Sequence, residues 1–256
     1  MIRHSNFVLR HYLVIGHWGL DIGHLLQCRP LQEELFVASL TIENYVKTIY
    51  QICLGRDNAP AATGQLSTAL GVSPGTVTSM LKTLNESRLA EYVPYEGVRL
   101  TDSGRALALR VLRRHRLIEL FLARTLHLSW DEVHEEAEHM EHAVSDRLID
   151  RIDEYLEFPS ADPHGDPIPK ADGTIDSHAG HTLAEWPASN RFRLVRVLDQ
   201  TPEFLRYLSE TGLSLGTEGI IASNRPESGV ITVKIQGLEA TLSQQVAEKL
   251  LVASAQ

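Results

Sequence analysis

Gly64-Gln65-Leu66-Ser67-Thr68-Ala69-Leu70-Gly71-Val72-Ser73-Pro74-Gly75-Thr76-Val77-Thr78-Ser79-Met80-Leu81 is the stretch on which the fold turns. It divides into a short helix over Gly64–Leu70, a turn at Gly71-Val72-Ser73, and a second helix. Gly71 supplies the positive φ that a tight turn between helices needs. Ser67 is small enough for the place where two helices cross. Ser73 is set as an N-cap with Pro74 at the first helical position, and the helix continues through Val77, Met80, Leu81 and Leu84. Val77 is its buried anchor. Beyond it, Glu91–Tyr95 and Val98–Leu100 alternate as two short strands around Glu96-Gly97. Upstream, Thr41 is placed as the N-cap of a helix through Ile42, Tyr45, Ile49 and Ile52 to about Gly55, with Arg29-Pro30 read as a break. Helix, helix, Gly turn, helix and hairpin make the order of a winged helix-turn-helix.

Downstream, Thr101 or Asp102 caps a long helix through Leu107, Val111, Ile118 and Leu122. Ser129 caps a helix over Trp130–His142, and another runs from Ser145 to Leu156. Pro159, Pro163, Pro167 and Pro169 mark a linker. After it come a strand (Phe192–Leu198), a helix (Pro202–Glu210) and strand-like runs at Gly219–Ala222 and Val230–Ile235. Leu238–Val252 alternates less clearly and stays unassigned.

With 256 residues and 43% hydrophobic content, the chain can bury two or three small cores. Cys28 and Cys53 form no CxxC pair, which speaks against a disulfide framework or a zinc knuckle and for a reducing compartment. The apolar run Phe7–Leu26 is interrupted by Arg10, His11, His17, Asp21 and His24, too polar for a membrane span or a signal peptide core, so the expectation is a cytoplasmic protein without a membrane partner. The net charge of −9 hides an asymmetry. Residues 59–116 hold eight Lys/Arg against four Asp/Glu, whereas residues 117–166 hold three Arg against fourteen Asp/Glu. An anionic partner for the first block and a cationic one for the second would explain this, although two solvated helical surfaces would as well.

Ser73, Gly75, Thr76, Thr78 and Ser79 line the exposed start of the second helix of the helix-turn-helix. Small hydroxylic side chains and free backbone N–H groups there suit phosphates and base edges. Lys82, Arg99 and Arg105 are candidate phosphate contacts. Few long base-reading side chains are present, which shifts specificity toward water and DNA shape. A helical hairpin with no DNA role is the competing reading.

In His134-Glu135-Glu136-Ala137-Glu138-His139-Met140-Glu141-His142, the positions 134, 138, 141 and 142 fall within about 100° of a helix surface. Two imidazoles and two carboxylates share that stripe. His115 and Glu119 form a second i, i+4 pair on the preceding helix. Gathered together, these groups would repel one another unless a cation neutralised them, and the N/O mixture suits Mn(II), Fe(II), Co(II), Ni(II) or Zn(II). An exposed acidic helix with surface histidines is the bland alternative. No HExxH, nucleophile elbow, P-loop or dinucleotide fingerprint is present, so an enzyme is not expected.

From Thr41-Ile42-Glu43-Asn44-Tyr45 through Arg114-His115-Arg116-Leu117, the His134–His142 helix with Ser145-Asp146, and Pro163-His164-Gly165-Asp166-Pro167-Ile168-Pro169, the chain resembles the diphtheria-toxin-repressor and manganese-transport-regulator family. The tail resembles the SH3-like, ferrous-iron-transport-associated domain of its longer members. The resemblance implies a mainly α fold with small β parts: an extension over 1–38, a winged helix-turn-helix over 39–112, metal-binding and dimerisation helices over 113–158, a linker over 159–182, and an SH3-like barrel over 183–256. It implies a homodimeric repressor of metal-uptake genes, activated by Mn(II) or Fe(II) and bound to a palindromic operator. Carried over by position, His115, Glu119, His134, Glu138, Glu141 and His142 match ligand positions. Asn44 stands where the family has aspartate or methionine, and Asp199 and Gln200 fall near outer ligands from the tail. Glu138, where iron-type members have cysteine, favours Mn(II). Lys47 departs from the glutamate of some manganese-type members and puts a full two-metal site of that type in question. The implied mechanism is linkage: metal neutralises the acidic stripe and fixes two recognition helices roughly 34 Å apart. A metal-independent winged-helix regulator answering to a small ligand or protein through the tail is the alternative.

Overall fold

The computed structural model describes residues 29–176 and 180–255, with side chains from Leu40 onward. Residues 1–28 of the expected extension, Cys28 included, lie outside the described residues, as do 177–179 of the expected linker. The chain divides into residues 1–39 and 40–256, and apart from the start of helix α1 the features below belong to the second unit.

Helix α1 (Arg29–Leu54) is continuous through Pro30 and Thr41. The expected Thr41 cap is therefore corrected, while the break expected at Arg29-Pro30 coincides with the start of this helix. Pro30 is the second residue of the helix, where a missing N–H is one of the unpaired groups anyway. The helix formers Gln32, Glu33, Glu34 and Leu35 then carry the helix across the expected boundary. Helix α2 (Thr63–Leu70) ends at Gly71, which is left-handed with φ 66°. Ser67 Oγ donates to the Val72 carbonyl across the turn (2.6 Å). Helix α3 (Pro74–Glu86) starts with Ser73 Oγ accepting from the Thr76 amide. Strands β1 (Ala90–Val93) and β2 (Gly97–Leu100) pair antiparallel, and Ala61 adds a bridge to Val98. Tyr45, Val46, Ile49, Leu66, Val77, Leu81 and Leu84 form one buried core. Each such side chain removed from water contributes about 1.5–3 kcal/mol before the entropy cost of ordering it.

Helix α4 (Asp102–Leu126) begins with Thr101 Oγ1 accepting from the Gly104 amide. Helices α5 (Val133–Met140) and α6 (Asp146–Tyr155) pack on it around Leu117, Ile118, Ala137 and Ile149. The expected Trp130–His142 helix is shorter at both ends. Glu132 accepts from the Ser129 amide and hydroxyl and holds Trp130–Glu132 as a turn. Ser145 caps α6, so the chain must leave α5 before it.

The C-terminal part is a six-stranded antiparallel sheet in the order β3-β8-β4-β5-β6-β7. Its strands are β3 (His181–Thr182), β4 (Arg191–Val197), β5 (Glu218–Arg225), β6 (Val230–Ile235), β7 (Leu238–Ser243) and β8 (Leu250–Ser254), with helices α7 (Pro202–Glu210) and α8 (Gln244–Ala247). The unassigned stretch thus holds β7, α8 and β8. Irregularities at Leu194/Arg196 and Ile221/Ser223 bend the sheet around a core that includes Phe192, Leu194, Leu205, Leu208 and Val233. The loop 162–166 docks on β4: the Val197 amide donates to the His164 carbonyl (2.9 Å). Gly165 has φ 86°, and a Cβ there would lie 2.1 Å from the Val195 carbonyl oxygen, so only glycine permits this approach. Among the described residues, no helix is long and apolar enough to cross a membrane.

Candidate metal centre

Helix α1 has two working faces. Val46 and Ile49 are fully buried in the winged-helix core. Asn44 and Lys47, on another face, line a cavity of about 400 Å³ together with His115, Glu119, His134 and Gln200. One rigid helix therefore belongs both to the helix-turn-helix and to the ligand cluster.

His115 stands at the middle of the cluster. Its Nε2 is 2.9 Å from Glu119 Oε1 and 3.1 Å from His134 Nδ1, and His134 Nδ1 is 3.1 Å from the same Glu119 oxygen. On its other side, His115 Nδ1 is 2.6 Å from Glu141 Oε2 and 3.7 Å from Glu138 Oε1. His142 adjoins this side, with Nε2 3.2 Å from Glu141 Oε1 and 2.8 Å from Asn44 Oδ1, and with Nδ1 2.7 Å from Glu43 Oε2. The i, i+4 pair and the stripe on α5 thus meet across two helices. Burial works to lower the His115 pKa, but the carboxylates of Glu119 and Glu141 outweigh it and raise it to about 9. For Glu119, burial works upward, and the charge and hydrogen bonds of His115 and His134 win, lowering its pKa.

Two groups that the sequence reading passed over complete the cluster. Asp162 and His164, in the proline-rich loop, are both buried beside Glu119. His164 Nδ1 is 3.8 Å from Glu119 Oε2 and 3.9 Å from Asp162 Oδ1. His164 Nε2 donates to the Trp130 carbonyl at 2.7 Å. That bond leaves the lone pair on Nδ1, which has no hydrogen-bond partner although it is buried. An imidazole oriented through one nitrogen, with the other turned toward carboxylates, is the arrangement of a metal ligand. Asp162 has its pKa raised well above the ordinary value by burial and by the negative charges of Glu119 and Asp166. Glu119 therefore has one oxygen facing His115 and His134 and the other facing Asp162 and His164. In each group one donor atom per residue lies within 4.8 Å of the others, close enough for a shared divalent ion. The signal in the sequence was the His between two Asp in Asp162-Pro163-His164-Gly165-Asp166, but a loop has no period to show where its side chains aim.

The Glu138 and Glu141 side differs. Lys47 Nζ donates to Glu138 Oε1 and Glu141 Oε1, each at 2.7 Å. Burial works to raise the Glu138 pKa, and the Lys47 ammonium outweighs it and lowers it. Of the two tail positions, Gln200 lines the cavity. Asp199 is engaged elsewhere: it accepts from the Thr201 amide at the start of α7 and from Lys249 Nζ (2.7 Å).

The positions expected to contact nucleic acid lie at the start of α3, along it, and on β2. Ser73, Gly75, Thr76, Ser79 and Lys82 are exposed. Ser73 Oγ and Thr76 Oγ1 are 2.8 Å apart, and Thr78 Oγ1 donates to the Pro74 carbonyl. Arg99 is exposed on β2 and donates through Nε to the Asn58 carbonyl (3.2 Å). Arg105 lies over the Tyr50 ring at 5.9 Å. Tyr95, absent from the expected set, is fully exposed at the hairpin tip with φ 71°.

A winged helix-turn-helix whose first helix also lines a cluster of buried imidazoles and carboxylates defines a class, the metal-linked winged-helix regulators. Three family models match: "Iron dependent repressor, N-terminal DNA binding domain" over 38–98, "Iron dependent repressor, metal binding and dimerisation domain" over 101–170, and the FeoA domain over 181–254. The diphtheria toxin repressor of Corynebacterium efficiens is 30% identical over 222 residues, covering 83% of this chain and 94% of that protein. Among solved structures, a manganese-dependent transcriptional repressor in complex with manganese is 38% identical with a TM-score of 0.76, covering 83% of this chain and 99% of that one. ScaR with bound Zn2+ is 32% identical with a TM-score of 0.71, covering 84% and 99%. The chain belongs to the diphtheria toxin repressor family of iron-dependent repressors.

Proposed function

We propose that this chain is a cytoplasmic transcriptional repressor that binds a palindromic operator as a homodimer, with Mn(II) or Fe(II) as its effector and metal-uptake genes as its targets. The observation that carries this is the double use of α1, with Val46 and Ile49 in the DNA-reading core and Asn44 and Lys47 beside the ligand cluster. The cluster is oxygen-rich and holds no thiolate, which favours Mn(II).

When bound, the metal supplies positive charge and directional coordination to Glu119, His115, His134, Asp162 and His164. The protein does the rest. Trp130 fixes the ring of His164. Arg116 holds the loop to α4, donating to the Pro167 carbonyl (2.6 Å) and to Asp166 (3.0 Å). Arg196 on β4 bonds the same Asp166. A cation drawing these groups together therefore sets the relation of α4, α5 and the β-rich part at once, and α5 in turn is tied to α1 through Lys47. In its absence His115, whose pKa is raised to about 9, keeps a proton at neutral pH, so metal binding at its ring must expel that proton. Leu148, Tyr155 and Phe158, exposed on and just after α6, are apolar side chains suited to a dimer contact. On DNA, Ser73, Thr76 and Ser79 face the duplex from α3, with Lys82 and Arg99 on phosphates.

The test is to select genomic fragments retained by the protein with Mn(II) and to measure their Kd with Mn(II) and with chelator at matched salt. Tightening by about tenfold or more supports the reading. Equal affinity in both conditions refutes it.

A further inference from the structure

The acidic stripe on α5 demands a cation, and the chain carries one of its own. Lys47 Nζ lies 2.7 Å from both Glu138 Oε1 and Glu141 Oε1. The lysine side chain is 8% exposed and Glu141 is fully buried, so this is an interior contact rather than a surface ion pair. We propose that the Lys47 ammonium stands in place of a metal ion between α1 and α5, leaving the Glu119-centred groups as the place, among the described residues, where the effector enters.

Three observations support the substitution. First, a lysine head has three donors and a single positive charge, enough to satisfy one oxygen from each glutamate. Second, Glu141 is fully buried, and among the described residues Lys47 is its only lysine or arginine partner. Third, a divalent ion placed between Glu138 and Glu141 would sit against a buried ammonium, where low polarisability magnifies like-charge repulsion. On the Glu119 side, Arg116 Nε lies 3.6 Å from Asp162 Oδ2, but among the described residues no lysine or arginine bridges Glu119 itself, whose ion partners are His115, His134 and His164. The tie from α1 to α5 is therefore resident, and the effector, bound at Glu119 and the His164 loop, acts on α1 through α5 and this tie. This rests on the repressor reading for the identity of the effector, but its own content is where metal does and does not bind.

The experiment counts Mn(II) per protomer by equilibrium dialysis and elemental analysis, using the full chain and the variants Glu119→Gln, Lys47→Glu and the two combined. With Lys47 present, Glu119→Gln is expected to lose tightly held Mn(II). Adding Lys47→Glu restores one ion per protomer, which Glu141→Gln then removes. If Glu119→Gln alone keeps an ion that Glu141→Gln abolishes, metal binds beside Lys47 and the proposal is overturned. If Lys47→Glu in the Glu119→Gln background gains no ion, it is overturned too. Should the double variant fail to fold, thermal unfolding of Lys47→Gln in chelator decides. The proposal expects a fall of about 6 °C or more, because buried Glu141 and half-buried Glu138 lose their cation, and an unchanged transition contradicts it. Should the wild type take up no Mn(II), the repressor reading fails, while the gain in Lys47→Glu still decides this one.

Discussion

His115 divides the cluster into two halves that solve one electrostatic problem differently. On one side Glu119 meets His134, Asp162 and His164, with no lysine among them. On the other, Glu138 and Glu141 are bridged by Lys47. Both halves crowd acids into the interior. One leaves its balance to protons and to an ion from solution, and the other has it covalently attached. Only the first half can report a concentration, because a tethered ammonium is present at every metal level. A ligand stripe read from sequence therefore marks where cations are needed, without saying who brings them.

The contrast can be broken by substitution. Glu119→Gln removes a charge shared by both metal-facing groups. Its Mn(II)-dependent gain in operator affinity should vanish, a loss of about 100-fold in a gel-shift titration with Mn(II). Circular dichroism should still show a folded protein. Glu141→Ala acts on the other half and leaves Lys47 without its buried partner. Metal-free stability should fall by about 3 kcal/mol in denaturant titration, with Mn(II) still bound at the Glu119 groups. Asp162→Asn sharpens the comparison. Since burial and the charges of Glu119 and Asp166 work against the Asp162 carboxylate and raise its pKa, the amide should cost little metal-free stability while weakening Mn(II) binding about tenfold.

Acidity provides a gentler probe. The His115 pKa is raised from 6.5 to about 9 in the folded chain. A raised folded pKa contributes stability that is complete below 6.5 and is lost as pH rises through about 9. Thermal unfolding of the metal-free protein should therefore shift downward between those values, while Mn(II) affinity rises across the same window as the competing proton leaves. A smaller effect is expected far from the cluster. Lys82→Ala should weaken operator binding uniformly across sequences and reduce the salt slope by about 1.

Much of this architecture was legible because it is periodic. The Gly71 turn, the Ser73-Pro74 helix start and the His115/Glu119 and His134/Glu138/Glu141 faces follow from helical spacing and capping chemistry. What was missed lacks period. Asp162 and His164 belong to a loop whose direction is set by Gly165 lying against β4, a contact between segments about thirty residues apart. The α1 start was misjudged because Pro30 looks the same whether it opens a helix or breaks one. Asp199 sits near the cluster along the chain, yet Lys249, fifty residues later, claims its carboxylate. The lysine at 47 could be seen as a departure from the family pattern, but its reach to both glutamates required the packing of α1 on α5.

The central claim is that metal and DNA are coupled through α1, and coupling between two ligands is reciprocal. Mn(II) affinity measured with and without saturating operator DNA tests it most directly. The account predicts that operator tightens Mn(II) binding by the same factor by which Mn(II) tightens operator binding. Identical Mn(II) affinities in the two conditions would contradict it.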